Sequence, residues 1–351
     1  MYKRQGLGFN LTGAQQRAWI DISKDMAGSF PMRRLLQGDV GSGKTVVAAC
    51  AAVRAIESGF SVVFLAPTEI LAEQHYRVLS KWFEPLNIKV HLHTASKKTL
   101  NVSDSKQFDF KVVDEALPPV VVGTHALVED KFSLEDIGLA IIDEQHKFGV
   151  EQRKKLVRKG SYPHVLVMTA TPIPRTLGLT VYGDLDCSVI DELPPGRGRI
   201  RTFVRTPDSL QKVWEFIRQK IAEGRQAYIV YPRVDDQGGG NIKAVNQELD
   251  TVKSNLVPHK VGLIHGRLKP AEKEEAINGF LCGEIKVLLS TSVIEVGVDI
   301  PNSTIMLIEN ADRFGLAQLH QLRGRIGRGS HESYCILIAV SYTHLTLPTK
   351  A

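Results

Sequence analysis

Cysteine is scarce in this 351-residue chain: four are scattered at Cys50, Cys187, Cys282 and Cys335, and none forms a Cys-x-x-Cys pair. That spacing suggests neither a disulfide framework nor a zinc site, so a reducing, cytoplasmic setting is expected. Long apolar runs are missing as well. None approaches the roughly 20 residues of a membrane span, and Met1–Phe9 lacks the apolar core of a secretory signal. A soluble protein with no membrane partner is therefore expected. Charge of one sign barely predominates, with 44 Lys and Arg against 38 Asp and Glu. A formal charge of +6 attracts a polyanion weakly and singles out no partner class.

Apolar material is sufficient for about two domains, since 43% of the residues are hydrophobic. Short aliphatic or β-branched runs recur with helical stretches between them: Leu35–Leu36, Val62–Leu65, Val120–Val122, Leu139–Ile142 and Val165–Met168. A second series follows, with Tyr228–Val230, Val261–Ile264, Val287–Leu289, Ile305–Ile308 and Cys335–Ile338. Such alternation predicts parallel sheets wrapped by helices, an α/β chain of two similar domains. Val213, Trp214, Ile217 and Ile221 have helical spacing ahead of the second series. Between the series, DELPPGRGR at Asp191–Arg199 disfavours helix and strand and predicts a linker. The first domain is thus expected over residues 6–190 and the second over 200–339. The polar stretch Lys97–Pro119 and the loop DDQGGG at Asp235–Gly240 suggest no function.

Neither end continues these patterns. MYKRQ at Met1–Gln5 reads as a translation of GTGTATAAGAGACAG with GTG as the start codon. VSYTHL from Val340 reads as a translation of GTCTCTTATACACATCT, which overlaps the reverse complement of the same element. Both resemble the transposon end used in sequencing libraries. Met1–Gln5 and Val340–Ala351 are therefore expected to be adapter-derived, with the second domain truncated at its C-terminal end.

Chemistry concentrates first at GDVGSGKT, Gly38–Thr45, between an apolar run and a helix-like stretch. This is the phosphate-loop pattern of a P-loop NTPase. Gly38, Asp39, Val40, Gly41, Ser42 and Gly43 would turn backbone N–H groups around phosphate oxygens, Lys44 would neutralise the β- and γ-phosphates, and Thr45 would ligate Mg²⁺. ATP and Mg²⁺ are the implied cofactors. Leu139–Ile142 then delivers Asp143 and Glu144 to a strand end, where one carboxylate can hold the metal and the other polarise the attacking water. An acidic pair after a strand is often only a helix cap; its place downstream of a phosphate loop favours catalysis. In QLRGRIGR, Gln321–Arg328, the guanidinium groups of Arg325 and Arg328 could stabilise phosphoryl-transfer charge. A solvated basic loop or simple nucleic-acid contacts are the alternatives.

GDVGSGKT, APTEILAEQHY, GTHAL, IIDEQHKFGV, MTATPIPRTL, LIHGRLK, STSVIEVGVDIP and QLRGRIGR occur in this order and resemble the successive motifs of superfamily-2 helicases. DEQH followed by Phe148–Val150, SVIDELPPGR and LIHGRLK resemble the RecG family more than the related transcription-repair coupling factors. The resemblance covers nearly all of Gly6–Ala339. It implies two tandem RecA-like domains, ATP hydrolysis with Gln321 among the catalytic set, and movement on branched DNA such as replication forks and Holliday junctions, by a monomer. Phe9 and Gln15 would contact adenine; the alternative makes Thr12 a helix cap with Gln15 on the surface. Gln145 and His146 would sense the γ-phosphate, and Thr169, Ala170 and Thr171 would couple hydrolysis to movement. Gly297 and Asp299 would approach the ribose, unless they merely form a turn ahead of Pro301. Pro67, Thr68, Gly123, Thr124, His125, His265, Arg267, Ser290 and Thr291 match segments that contact the DNA backbone. Lys147 departs from the family's common Arg, keeping charge but losing a bidentate fork.

A nucleotide-regulated DNA-binding segment without turnover and an inert fragment are the competing expectations. Genomic reads overlapping both ends are expected to diverge from the present sequence at Gln5 and Val340; reads that continue it unchanged would make both tails native.

Overall fold

The computed structural model describes residues 11–99, 117–129, 132–144, 162–170, 185–194, 198–232, 241–266, 268–291 and 300–339. The chain divides into two compact units between Pro194 and Pro195, inside DELPPGRGR. No described helix is long and apolar enough to cross a membrane.

The first unit holds a seven-stranded sheet. Its strands are β1 (Arg33–Gly38), β2 (Ser61–Leu65), β3 (Val90–His93), β4 (Val120–Gly123), β5 (Ile137–Asp143), β6 (His164–Thr169) and β7 (Asp186–Ile190). They lie in the order β3-β4-β2-β5-β6-β1-β7, every pair parallel. A parallel strand covered on both faces must be apolar on both, which is why β2 is buried at all five positions and β4 at all four. Alternate side chains divide between two cores. Leu36, Phe64, Val122, Ile141 and Met168 share one with α1 (Gly13–Met26), α2 (Lys44–Glu57) and α3 (Glu69–Phe83). Leu35, Val63, Val121, Ile142 and Val167 share the other with Leu127, Val128 and Phe132.

The buried Arg34 of β1 ties this unit's edge together. Its Nε lies 2.6 Å from Asp25 Oδ2 and its Nη1 2.9 Å from Ser188 Oγ, so α1, β1 and β7 meet at one guanidinium. A buried cation requires this kind of pairing.

The second unit holds six parallel strands in the order β10-β11-β9-β12-β13-β8. They are β8 (Ile200–Arg205), β9 (Gln226–Tyr231), β10 (Val261–Ile264), β11 (Val287–Thr291), β12 (Ser303–Ile308) and β13 (Ser333–Ile338). The helices are α4 (Leu210–Ala222), α5 (Asn241–Asn255), α6 (Pro270–Leu281) and α7 (Leu316–Arg323). Val213, Trp214, Ile217 and Ile221 form the buried stripe of α4 and pack against Ile229, Leu307 and Ile336. Both sheets thus realise the parallel α/β architecture expected from the sequence. Three strands had no clear sequence signal: β3, β7 and β8. They are short or edge strands, and β7 and β8 carry exposed polar residues instead of a continuous apolar run.

Leu307 is fully buried at the centre of the second sheet, so Leu307→Ala is expected to destabilise that unit by about 2–5 kcal/mol in a denaturant titration. Glu309, just past β12, is also buried. Burial and the charge of Glu248 push its carboxyl up from 4.5 to about 7. The folded unit therefore holds a proton that the unfolded chain releases near pH 4.5, and stability falls between about pH 4.5 and 7. Glu309→Gln is expected to flatten that decline and raise stability at pH 8 by a few kcal/mol, leaving it unchanged at pH 4; equal stability of both proteins at pH 8 would refute the assignment.

Candidate active site

Parallel strands deliver their carboxyl ends to one edge of a sheet, and in the first unit β5, β6 and β1 are consecutive neighbours. Asp143 ends β5, Thr169 ends β6 and Gly38 ends β1, so three motifs separated in sequence become adjacent. Gln37, immediately before the phosphate loop, is in register with Thr169, and Asp143 with Met168.

The loop leaving β1 turns through Gly41 at φ 76° and Gly43 at φ 88° before α2 begins at Lys44. Those positive φ values are open to glycine with little penalty. Gly38 is fixed by space instead: a Cβ would stand 2.6 Å from Ser42 Oγ. Lys44 Nζ donates to the carbonyls of Gly38, at 2.7 Å, and Asp39, at 2.9 Å, placing the ammonium over the loop. Ser42 Oγ is buried without a hydrogen-bond partner among the described residues.

Thr12 does cap α1, through the reciprocal pair Gln15 N–H to Thr12 Oγ1, 3.3 Å, and Thr12 N–H to Gln15 Oε1, 2.9 Å. Gln15 is nevertheless buried, which excludes a surface position for it. Its Nε2 donates to the Ser42 carbonyl at 2.8 Å, joining the helix cap to the phosphate loop. One amide hydrogen of Gln15 remains for a further acceptor. The N-terminus of α1 is also held from the far end of the unit, because Ala14 N–H donates to Glu192 Oε2 at 3.0 Å and Arg17 pairs with Asp191 at 2.9 Å. Sequence reasoning assigned Asp191 and Glu192 only to a linker.

Glu144 takes φ 49°, a left-handed conformation uncommon outside glycine. Its N–H donates to the Met168 carbonyl at 2.9 Å, so β6 holds the strained residue in place. The Asp143 carboxylate meets His75 of α3, with Oδ2 2.9 Å from Nε2. Burial alone would push the Asp143 carboxyl up. The His75 hydrogen bond and charge, the Lys44 ammonium and the Glu144 amide outweigh it and hold the group below the usual range. Asp143 is therefore an anion facing Lys44. His75 was not singled out from the sequence, although it lies within APTEILAEQHY, because nothing local to α3 announces a partner at the end of β5.

The first-unit residues expected to contact DNA follow strands of the same sheet that lie beyond β5. Pro67 and half-buried Thr68 follow β2, and Thr68 Oγ1 accepts the Leu71 N–H at 3.3 Å as the cap of α3. Gly123 ends β4 with no room for a Cβ against the His93 carbonyl, Thr124 is buried, and only His125 of the three is exposed. In the second unit His265 follows β10 and Ser290 and Thr291 end β11; these strands pair, with Ile264 opposite Ser290. Ser290 is buried. Gln321 lies on α7, while Arg325 and Arg328 follow it, all three half-buried. Phe9, Gln145, His146, Thr171, Arg267, Gly297 and Asp299 lie outside the described residues. Thr169 and Ala170 are buried at the end of β6.

The DEAD/DEAH box helicase family matches residues 12–179, and the helicase conserved C-terminal domain matches residues 208–330. An ATP-dependent DNA helicase RecG of Synechocystis is 51% identical over 336 residues, which is 95% of this chain and 40% of that protein. The Thermotoga maritima RecG helicase is 47% identical over 95% of this chain and 42% of its own length. The chain therefore spans about two-fifths of these curated relatives. A solved structure of RecG bound to a three-way DNA junction superposes with a TM-score of 0.80 at 44% identity, covering 96% of this chain and 44% of that one.

Gly43 offers a test of the loop's construction, since a side chain there would be strained by φ 88° and would overlap the Gln15 amide. Gly43→Ala is expected to lower stability by about 1–3 kcal/mol in thermal melts. In a Gln15→Ala background the same change should cost measurably less, because one of its two causes is gone; additive effects would disprove the contact.

Proposed function

Because the chain belongs to the RecG group of helicases, with both a DEAD/DEAH box domain and a helicase C-terminal domain, we propose that it is an ATP-driven DNA motor that moves on branched duplex DNA. The observation carrying this reading is the convergence of the phosphate loop, the Asp143–Glu144 pair and Thr169 on neighbouring strand ends. Support for branched DNA comes from the relative solved with a three-way junction.

The residues fit a magnesium nucleotide. Asp143 and Thr45 offer the hard oxygen ligands that Mg²⁺ prefers, Ser42 Oγ is a buried polar atom with no partner among the described residues, and Gly41 and Gly43 turn the backbone to cradle phosphate. Held by Thr45 and Asp143, the metal would screen phosphate charge. Lys44 neutralises the β- and γ-phosphates, with the amides of Gly38–Thr45 around them. Glu144 orients the attacking water and takes its proton. Arg325 and Arg328, with Gln321, answer the charge of the transferring phosphoryl group.

Phe9 and Gln15 are assigned to adenine, Gln145 and His146 to γ-phosphate sensing, and Gly297 and Asp299 to the ribose. Thr169, Ala170 and Thr171 couple hydrolysis to movement; Thr169 suits that role through its register with Gln37 beside the phosphate loop. Pro67, Thr68, Gly123, Thr124, His125, His265, Arg267, Ser290 and Thr291 are assigned to segments that follow the DNA backbone. A cytoplasmic monomer is the proposed working form.

ATP hydrolysis by the chain, with and without a synthetic three-way junction, tests the reading. Junction DNA is expected to stimulate turnover. Lys44→Ala should abolish nucleotide binding, whereas Glu144→Gln should keep binding and lower kcat by about 10²-fold or more. Arg328→Ala should lower kcat by about 10³-fold at the least. Mg·ATP-dependent DNA affinity without turnover would replace the motor with a nucleotide-regulated binding module.

A further inference from the structure

Asp143 and His75 form a nearly buried pair, their side chains 13% and 10% exposed. His75 belongs to α3, a helix with no part in the nucleotide chemistry proposed above. Its ring packs on Phe64 of β2, with centroids 4.5 Å apart and planes inclined by 42°. Phe64 is itself buried, so the imidazole has a fixed backing. An ionised carboxylate only accepts hydrogen bonds, and therefore His75 Nε2–H donates to Asp143 Oδ2 across 2.9 Å.

We infer that His75 is a positioning residue for the metal-holding carboxylate. One oxygen of Asp143 is anchored by the imidazole, which fixes rotation of the carboxylate and leaves its remaining lone pairs in a single orientation. Without the anchor the carboxylate samples several orientations, and each metal-binding event must select one. Hydrogen-bonding partners behind ligating groups act in this way, and their loss lowers metal affinity by about 10–100-fold. Phe64 extends the chain of support into the sheet: β2 holds the ring, the ring holds the imidazole, and the imidazole holds the acid at the end of neighbouring β5. The inference rests on the nucleotide-site reading.

Donor and volume can be separated by substitution. His75→Phe keeps an aromatic ring against Phe64 but has no donor, His75→Leu is a second donor-free variant, and His75→Gln retains an N–H at similar reach. Manganese affinity in the presence of ADP, read by electron paramagnetic resonance, reports the metal site without turnover. Binding of a fluorescent ADP analogue in EDTA reports the rest of the pocket.

Folded His75→Phe or His75→Leu is expected to lose manganese affinity by about 10–100-fold, with metal-free nucleotide affinity within about twofold of the parent and most of the loss recovered in His75→Gln. Unchanged manganese affinity in a folded donor-free variant overturns the inference. So does a Gln variant as weak as Phe, or a matching loss of metal-free nucleotide affinity. A parent chain that binds neither manganese nor nucleotide defeats the nucleotide-site reading itself, a result distinct from these.

Discussion

The pairing of β6 with β5 on one side and β1 on the other is the constraint from which the candidate site follows. A strand buried on both faces has to place every backbone N–H and C=O in a ladder, and a parallel ladder leaves all carboxyl ends on one edge. Gly38, Asp143 and Thr169 are therefore neighbours because their strands are neighbours. The same ladder reaches one residue beyond β5, where the Met168 carbonyl takes the Glu144 N–H and holds the residue at φ 49°. A strained backbone persists where its surroundings over-determine it, and here those surroundings are the sheet itself.

Around this frame, polar side chains connect elements that apolar packing alone would leave adjustable. Gln15 links the capping box of α1 to the Ser42 carbonyl, and Glu192 returns from beyond β7 to the first turn of the same helix. A carboxylate at a helix N-terminus meets both unpaired N–H groups and the positive end of the dipole. The phosphate loop is thus reached from α1 and α1 from the segment that leaves the unit. On the other side, His75 brings α3 to Asp143. α1, α3 and β6 thus each contribute a hydrogen bond that fixes a specific atom of the loop or of the acidic pair.

Strand order also sorts the edge. In the first unit the phosphate loop follows β1, the acidic pair stands at the end of β5 and Thr169 ends β6 between them, whereas the residues assigned to DNA follow β2 and β4, beyond β5. Burial then discriminates within the second group. Gly123 is set by close approach to the His93 backbone and Thr124 has little exposure, which leaves His125 as the exposed side chain of that segment. A motif assigned to DNA as a block contains residues whose positions are explained by packing.

Much was legible in the sequence because the signals are local. Apolar runs such as Val62–Leu65 and Val120–Val122 marked interior strands, GDVGSGKT carried its own turn geometry, and the stripe Val213, Trp214, Ile217, Ile221 fixed the buried face of α4. Edge strands β3, β7 and β8 were not legible, since a strand with one neighbour tolerates exposed polar residues and loses the continuous apolar signature. The sequence by itself determined the alternation of strands and helices, the phosphate loop and the acidic pair, each encoded within a few consecutive residues. Only the tertiary structure decided that Gln15 is buried against Ser42, that Glu144 hangs from Met168 and that His75 meets Asp143. Those pairs join residues 24 to 68 positions apart, and hydrogen bonds over such separations are set by strand order and helix packing, which no local pattern specifies.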